Sequence, residues 1–202
     1  VETIVHVIIY IHMYKVGITG GIGSGKSVVS NMLHKRGVAV YNSDLRAKEL
    51  MTTCEPLRRE LIECFGSEVY CAEGLNRAYL AERVFGSAEE LAKLNAIVHP
   101  CVKEDFERWA EAQGGDYVVL ESAILFESGF DSTVDATVAV MAPTELRIER
   151  VMKRDGVAQE QVEARMRHQL SDDERCSRSK YAIVNIELDE VEEDVEQLHR
   201  RL

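Results

Sequence analysis

Apolar positions along the chain fall into short runs separated by stretches with helical periodicity. Lys15-Val16-Gly17-Ile18-Thr19 is an apolar run that ends in glycines and predicts a buried strand. Lys26 to Arg36 places Val29, Met32 and Leu33 on one helical face and meets a stop at Gly37. Val38-Ala39-Val40-Tyr41 predicts the next strand. From about Leu45 to Ala112 the pattern is helix-rich, punctuated at Gly66 and Gly86. Pro100 is expected to end or kink a helix within that stretch. Tyr117-Val118-Val119-Leu120 and Thr137-Val138-Ala139-Val140-Met141 predict two more buried strands. Pro143 suits the first residue of a helix running to about Arg154. A charged stretch follows, from Asp155 to Lys180, in which Asp172-Asp173-Glu174-Arg175 opens a helix. The last strand is Tyr181-Ala182-Ile183-Val184-Asn185, and a C-terminal helix carries Val191, Val195 and Leu198 at helical spacing. Five apolar strands joined through helices imply an α/β fold, a parallel sheet covered on both faces. Crossovers in such a sheet are right-handed, and ligands bind at the carboxyl ends of its strands.

Composition narrows the function. A chain of 202 residues, 46% hydrophobic and 29% charged, has the make-up of one compact domain with small inserted subdomains. Its 24 basic and 35 acidic residues give a net charge of −11. That excess argues against a nucleic-acid partner held by bulk positive charge, but leaves room for one basic pocket for a phosphorylated small molecule. The five cysteines, Cys54, Cys64, Cys71, Cys101 and Cys176, form no C-x-x-C pair and have no histidine cluster. They read as free thiols, small buried or half-buried side chains, suited to a reducing cytoplasm. Val1 to His12 is too short to span a bilayer and lacks the marks of a signal peptide, so no membrane partner is expected. Residues 1–12 read as an upstream extension outside the fold, the alternative being an extra edge strand.

The most informative segment is Gly20-Gly21-Ile22-Gly23-Ser24-Gly25-Lys26-Ser27, which fits G-x-x-x-x-G-K-[ST] in full. Glycines let the backbone approach phosphate oxygens closely, and successive N–H groups converge on the anion as a nest. The following helix adds its positive N-terminal end. Lys26 can reach the β- and γ-phosphates, and the Ser27 hydroxyl can ligand Mg²⁺. A strand before the loop and a helix after it supply the setting the motif needs. The loop names a nucleoside triphosphate site without naming a reaction.

Other candidates lie at the remaining strand ends. Asp44, after the second strand, can take a proton from an attacking hydroxyl or hold Mg²⁺ through water; equally, Asn42, Ser43 or Asp44 can cap the next helix. Glu121 closes the third strand in a Walker-B-like arrangement, with Ser122 beside it; a merely solvated acid is the plain alternative. Arg150 and Arg154 lie four apart, a spacing that lets two guanidiniums clamp a transferring phosphoryl group from the side opposite Lys26. Singly, each would be an ordinary surface arginine. The charged stretch beyond them, with Arg165 and Arg167, has the character of a mobile lid that excludes water. His99 precedes Pro100, and spacing alone leaves its role open.

Taken in order, these residues resemble one family, the dephospho-CoA kinases. The resemblance runs from about Tyr14 to the C-terminus. It rests on Val16 through Ser27, Ser43-Asp44, Leu94-Asn95-Ala96-Ile97-Val98-His99-Pro100, Ile124-Leu125-Phe126-Glu127-Ser128-Gly129, Arg150-Val151-Met152-Lys153-Arg154-Asp155, and Arg165 with Gln169. It implies a nucleoside-monophosphate-kinase-like fold: a P-loop kinase core (13–44, 114–154 and 181–202), a helical CoA-binding insert (45–113) and a small helical lid (155–180). It implies ATP and dephospho-CoA as substrates, Mg²⁺ as cofactor, and transfer to the ribose 3′-hydroxyl. Gly21, Ile22, Gly23, Ser24, Gly25, Lys26, Ser27, Val28 and Arg154 would bind ATP. Asp44 would act as base, with Lys26, Arg150 and Arg154 as its catalytic companions. Asp44, His99 and Glu121 would meet the acceptor, and Ser27 the metal. The chain departs from the family pattern at Asn42, Glu121 and Ala123, and at Asn185-Ile186-Glu187, where the family has Asp, Asp, Pro and Asn-x-Gly. Another small-molecule kinase of this architecture would be told apart by phosphorylating a nucleoside monophosphate. A nucleotide-dependent switch would show slow hydrolysis with no acceptor-dependent ADP release.

Overall fold

The computed structural model describes residues 12–167 and 169–202. The stretch 1–11, most of the expected extension, lies outside the described residues. Strands β1 (Tyr14–Thr19), β2 (Ala39–Asn42), β5 (Tyr117–Glu121), β6 (Ala136–Met141) and β7 (Tyr181–Val184) form one sheet in the order β2-β5-β1-β6-β7. All its pairings are parallel. Each expected strand is present, with ends shifted by a residue or so. All five residues of β5 are buried, which is why that run is apolar without alternation.

Alternate residues divide the core between the two faces. Tyr117 and Val119 of β5, with Val16, Ile18, Val138, Val140 and Ile183, pack under α1 (Lys26–Lys35) and α9 (Leu188–Arg201). These helices bring Val29, Leu33, Val191, Val195 and Leu198, each contributing about 1.5–3 kcal/mol on full burial. Val118 and Leu120 face the other way, onto Tyr41, Leu125, Phe130 and a helical layer.

That layer is α2 (Ser43–Thr53), α3 (Glu55–Phe65), α4 (Arg77–Phe85) and α5 (Ala88–Glu111), with the two-stranded hairpin β3 (Tyr70–Cys71) and β4 (Gly74–Leu75). Gly66 and Gly86 stop α3 and α4 where the sequence indicates. Val98, Val102, Phe106 and Ala110 of α5 recur at i+4 and are buried against β2 and β5 residues. Pro100 neither ends nor breaks α5. It sits, like Ala96 one turn before it, on the exposed side of the helix, where the hydrogen bond its missing N–H forgoes costs least. Beyond β6 come α6 (Thr144–Asp155), α7 (Gln159–Met166) and α8 (Asp172–Arg178). Ser171 caps α8, its hydroxyl accepting from Glu174 N while Glu174 reaches back to Ser171 N. Cys54, Cys101 and Cys176 are half-buried, as expected; Cys64 and Cys71 are exposed instead. Among the described residues, no helix is long and apolar enough to cross a membrane.

Candidate active site

The carboxyl ends of β1, β2 and β5 meet in register, Ile18 opposite Glu121 and Asn42 opposite Glu121. That register places the glycine loop, Asp44 and Glu121 around one crevice. The loop turns into α1 through Gly25, whose φ of 92° is left-handed. A Cβ there would lie 1.7 Å from Asn185 Nδ2, so only glycine fits. Lys26 Nζ donates to Gly20 O at 2.8 Å, and Ser27 Oγ donates to Glu121 Oε1 at 2.6 Å. Burial lowers the Lys26 pKa, while the nearby Glu121 and Asp44 carboxylates oppose that shift. Lys26, Asp44 and Glu121 therefore face one another electrostatically. Val28 lies exposed in the first turn of α1.

Asp44 is exposed at the second position of α2, and it is Asn42 that caps the helix, its Oδ1 accepting from Leu45 N at 3.0 Å. The Asp44 carboxylate is thereby left to the crevice. It lines a cleft of about 310 Å³ with Lys48, Asn95, His99 and Ser122. Apolar walls come from Met51, Val98 and Phe130. The cleft is thus built by α2, α5 and the end of β5, and it opens beside the phosphate loop. His99 is half-buried there, and burial, aided by the Lys103 charge, lowers its pKa.

The expected arginine pair is not brought to the loop. Arg150 donates to Asn185 O at 3.1 Å, and Arg154 is exposed and paired with Asp155 at 2.7 Å. Asp155 also takes Arg165 at 3.0 Å. Arg147, which the sequence reading passed over, does reach the loop. It is 5% exposed, donating from Nε to Ile22 O at 3.0 Å and from Nη1 to Asp172 at 2.8 Å. A Cβ on Gly21 would lie 2.1 Å from Arg147 Nη2. The signal was its spacing: Arg147 is one turn before buried Val151, on the inward face of α6.

Asn185, noted in the sequence only for the missing glycine of its Asn-x-Gly motif, is a second support of the loop. Its Nδ2 donates to Ser24 O at 2.8 Å, and its backbone N to Met141 O at 2.7 Å. The segment 155–180 rests on the loop as well, Gln169 Oε1 accepting from Ile22 N at 2.8 Å. Arg175, 1% exposed, ties it to Glu127 at 3.4 Å and meets Asp172 within the same segment at 3.5 Å. Burial lowers the Arg175 pKa against the pull of those two carboxylates.

The family model for dephospho-CoA kinase matches residues 14–190. The chain is 46% identical over 172 residues to a Bacteroides fragilis dephospho-CoA kinase, covering 85% of this chain and 84% of that one. It is 45% identical over 177 residues to a Salinibacter ruber dephospho-CoA kinase, covering 86% and 89%. A solved structure from Thermus thermophilus superposes with a TM-score of 0.83 at 34% identity, covering 95% of this chain and 98% of that one. Matched by the family model over residues 14–190 and by relatives over most of its length, the chain belongs to the dephospho-CoA kinase family.

Proposed function

We propose that the chain transfers the γ-phosphoryl group of ATP to the ribose 3′-hydroxyl of dephospho-CoA, giving CoA and ADP, the final step of coenzyme A synthesis. The observation that carries this reading is the position of Asp44, shared between the cleft walled by α2 and α5 and the crevice of Lys26. The helical insert, 45–113, supplies that cleft and holds the acceptor; 155–180 acts as the lid over ATP.

Transfer is in line. The acceptor oxygen bonds to the γ-phosphorus as the bond to the β–γ bridging oxygen breaks, and ADP leaves with that electron pair. Asp44 orients the hydroxyl and accepts its proton. Lys26 leaves Gly20 O and neutralises charge on the γ-phosphoryl oxygens, aided by the amides of the glycine loop. Arg150 and Arg154 sit on the helix leading into the lid and reach the phosphates on lid closure. His99 packs against the bound acceptor from α5.

The donor set suits Mg²⁺. Ser27 Oγ and Glu121 Oε1 are hard oxygens in contact, and no cluster of three His, Cys, Asp or Glu able to hold a metal alone occurs among the described residues. Such sites bind Mg²⁺ through one or two side chains together with substrate phosphates. Ser27 would hold the ion directly, and Glu121, a residue the resemblance also offers to the acceptor, through water. When bound, Mg²⁺ neutralises charge on the β- and γ-phosphate oxygens.

An ADP-release assay with and without dephospho-CoA tests the reading. ADP is expected only with both substrates present. Acceptor-independent hydrolysis, or release driven by a nucleoside monophosphate instead, would overturn it.

A further inference from the structure

Cys54 lies between α2 and α3, and Cys101 lies in the middle of α5. Their sulfur atoms are 3.8 Å apart. Both line a second cleft, of about 480 Å³, together with Leu57, Glu60, Ile97 and Arg108. This cleft and the acceptor cleft lie against different sides of α5. Ile97, Cys101, Glu104 and Arg108 face the cysteine cleft, whereas Leu94, Val98 and Val102 face the acceptor. The other three cysteines take no part: no sulfur of Cys64, Cys71 or Cys176 is paired with another thiol among the described residues.

We propose that Cys54 and Cys101 form a dithiol modification site that takes low-molecular-weight disulfides and closes to an intramolecular disulfide, fixing the spacing of the acceptor cleft. The Cys54 thiolate attacks one sulfur of the small disulfide, forming a mixed disulfide and releasing one thiolate. Cys101 then attacks the Cys54 sulfur, and the second small thiolate leaves. Two protein thiols are oxidised, one small disulfide is reduced to two thiols, and the two cysteine protons end on those thiols. Burial, together with the neighbouring Cys54, pushes the Cys101 thiol up to about 11, which suits Cys101 to the second, intramolecular attack at 3.8 Å rather than to the first. The open cleft admits the reagent.

The bond has a defined mechanical effect. Asp44, Ala47, Lys48 and Met51 of α2 form one wall of the acceptor cleft, and α5 forms the facing wall. Joining the residue that ends α2 to the middle of α5 fixes the distance between those walls, because the sulfurs must approach to about 2.05 Å. This effect on the acceptor, though not the chemistry of the site, rests on the function proposed above.

The test uses the full chain with Cys64, Cys71 and Cys176 replaced by serine, alongside the unsubstituted chain, each treated with oxidised glutathione. Alkylation and peptide mass mapping then read the thiols. The expected result in both is a Cys54–Cys101 cross-linked peptide with loss of both thiols, reversed by dithiothreitol. KM for dephospho-CoA should rise by about tenfold while KM for ATP stays unchanged, the sign of lost acceptor binding alone. Cys101→Ala should stop at a glutathione adduct on Cys54. Two persisting thiols, or an adduct that never closes in the chain retaining Cys101, would overturn the site. A cross-link with unchanged KM would overturn the coupling to the acceptor. A reduced enzyme inactive on dephospho-CoA would count against the proposed function only, since the mass readout does not depend on it.

Discussion

Ser27 Oγ donates a hydrogen bond to Glu121 Oε1 across 2.6 Å, joining the first turn of α1 to the last residue of β5. The pair lies at the register position where β1 and β2 both meet β5, so its geometry is set by the sheet. Glu121 is 6% exposed and well packed, and a glutamine side chain would fill the same space. Glu121→Gln should leave the melting temperature nearly unchanged. Its turnover should fall about 10- to 100-fold, with a higher Mg²⁺ requirement, as for loss of an outer-shell metal partner. A magnesium titration of initial rates reads both effects, and an unchanged requirement would separate Glu121 from the metal.

Asp44 makes no capping bond, because Asn42 holds the start of α2. Asp44→Ala should therefore stay folded while losing about 10²- to 10⁴-fold in kcat, the range for a general base. Lys26→Ala should also stay folded and lose most activity if, as proposed, its ammonium is the loop's charge against the phosphates. Rates and thermal melts on the same preparations decide both. Near-normal turnover in Asp44→Ala would remove its role as base.

Much of this was legible in the linear pattern. The strands were readable because a residue buried on both faces must be apolar, and β5 is buried throughout. The glycine loop was readable because phosphate chemistry dictates both residue types and spacing. What escaped notice depends on tertiary docking. Arg150 and Arg154 carry an inviting spacing, yet it is Arg147 whose face of α6 is turned to the loop. Asn185 was marked only by a motif that lacks its glycine, and its tie to Ser24 O appears only when β7 lies beside β6. Pro100 failed as a helix stop because its side of α5 is wet. The β3–β4 hairpin, two residues a strand, is too short for any periodicity to register.

Asn185 fastens the loop from the far edge of the site. Its Nδ2 donates to Ser24 O at 2.8 Å within a buried environment. Asn185→Ala should destabilise the protein by about 1–3 kcal/mol, the penalty for leaving that carbonyl unpaired. KM for ATP should rise more than KM for the acceptor, because the loop and not the α2–α5 cleft is loosened. Urea unfolding and two-substrate kinetics test this together; equal rises in both KM values would assign Asn185 a general structural role.

Arg147 is a stronger tie. It bridges Ile22 O and Asp172 while 5% exposed, so it joins the phosphate loop to the first residue of α8. Arg147→Ala strips the Asp172 carboxylate of its main cation and leaves a void beside Gly21. A loss of about 3 kcal/mol in unfolding free energy is expected, the low end for breaking a buried pair because Asp172 keeps some solvent. Arg147→Lys should recover little, since one ammonium cannot serve both Ile22 O and Asp172 in the planar geometry of a guanidinium. Recovery of full stability with lysine would show that charge alone, and not the fork, holds the loop.

His99 supplies a pH dependence whose sign follows from its surroundings. Burial in the α2–α5 cleft, and secondarily the Lys103 charge, hold its folded pKa below the ordinary 6.5. Lys103 is itself anchored by Gly129 O at 2.8 Å, so the repulsion has a fixed geometry. With the folded pKa depressed, the unfolded chain takes the proton first as pH falls below 6.5. The stability due to neutral His99 is thus complete above that value and is lost as pH drops through the folded pKa. Melting temperatures at pH 7.5 and pH 5 should therefore differ more in the native chain than in His99→Gln, which cannot protonate. Lys103→Met should raise the His99 pKa, which an imidazole NMR titration would follow directly. If His99→Gln loses as much stability on acidification as the native chain, the acid sensitivity lies in other groups.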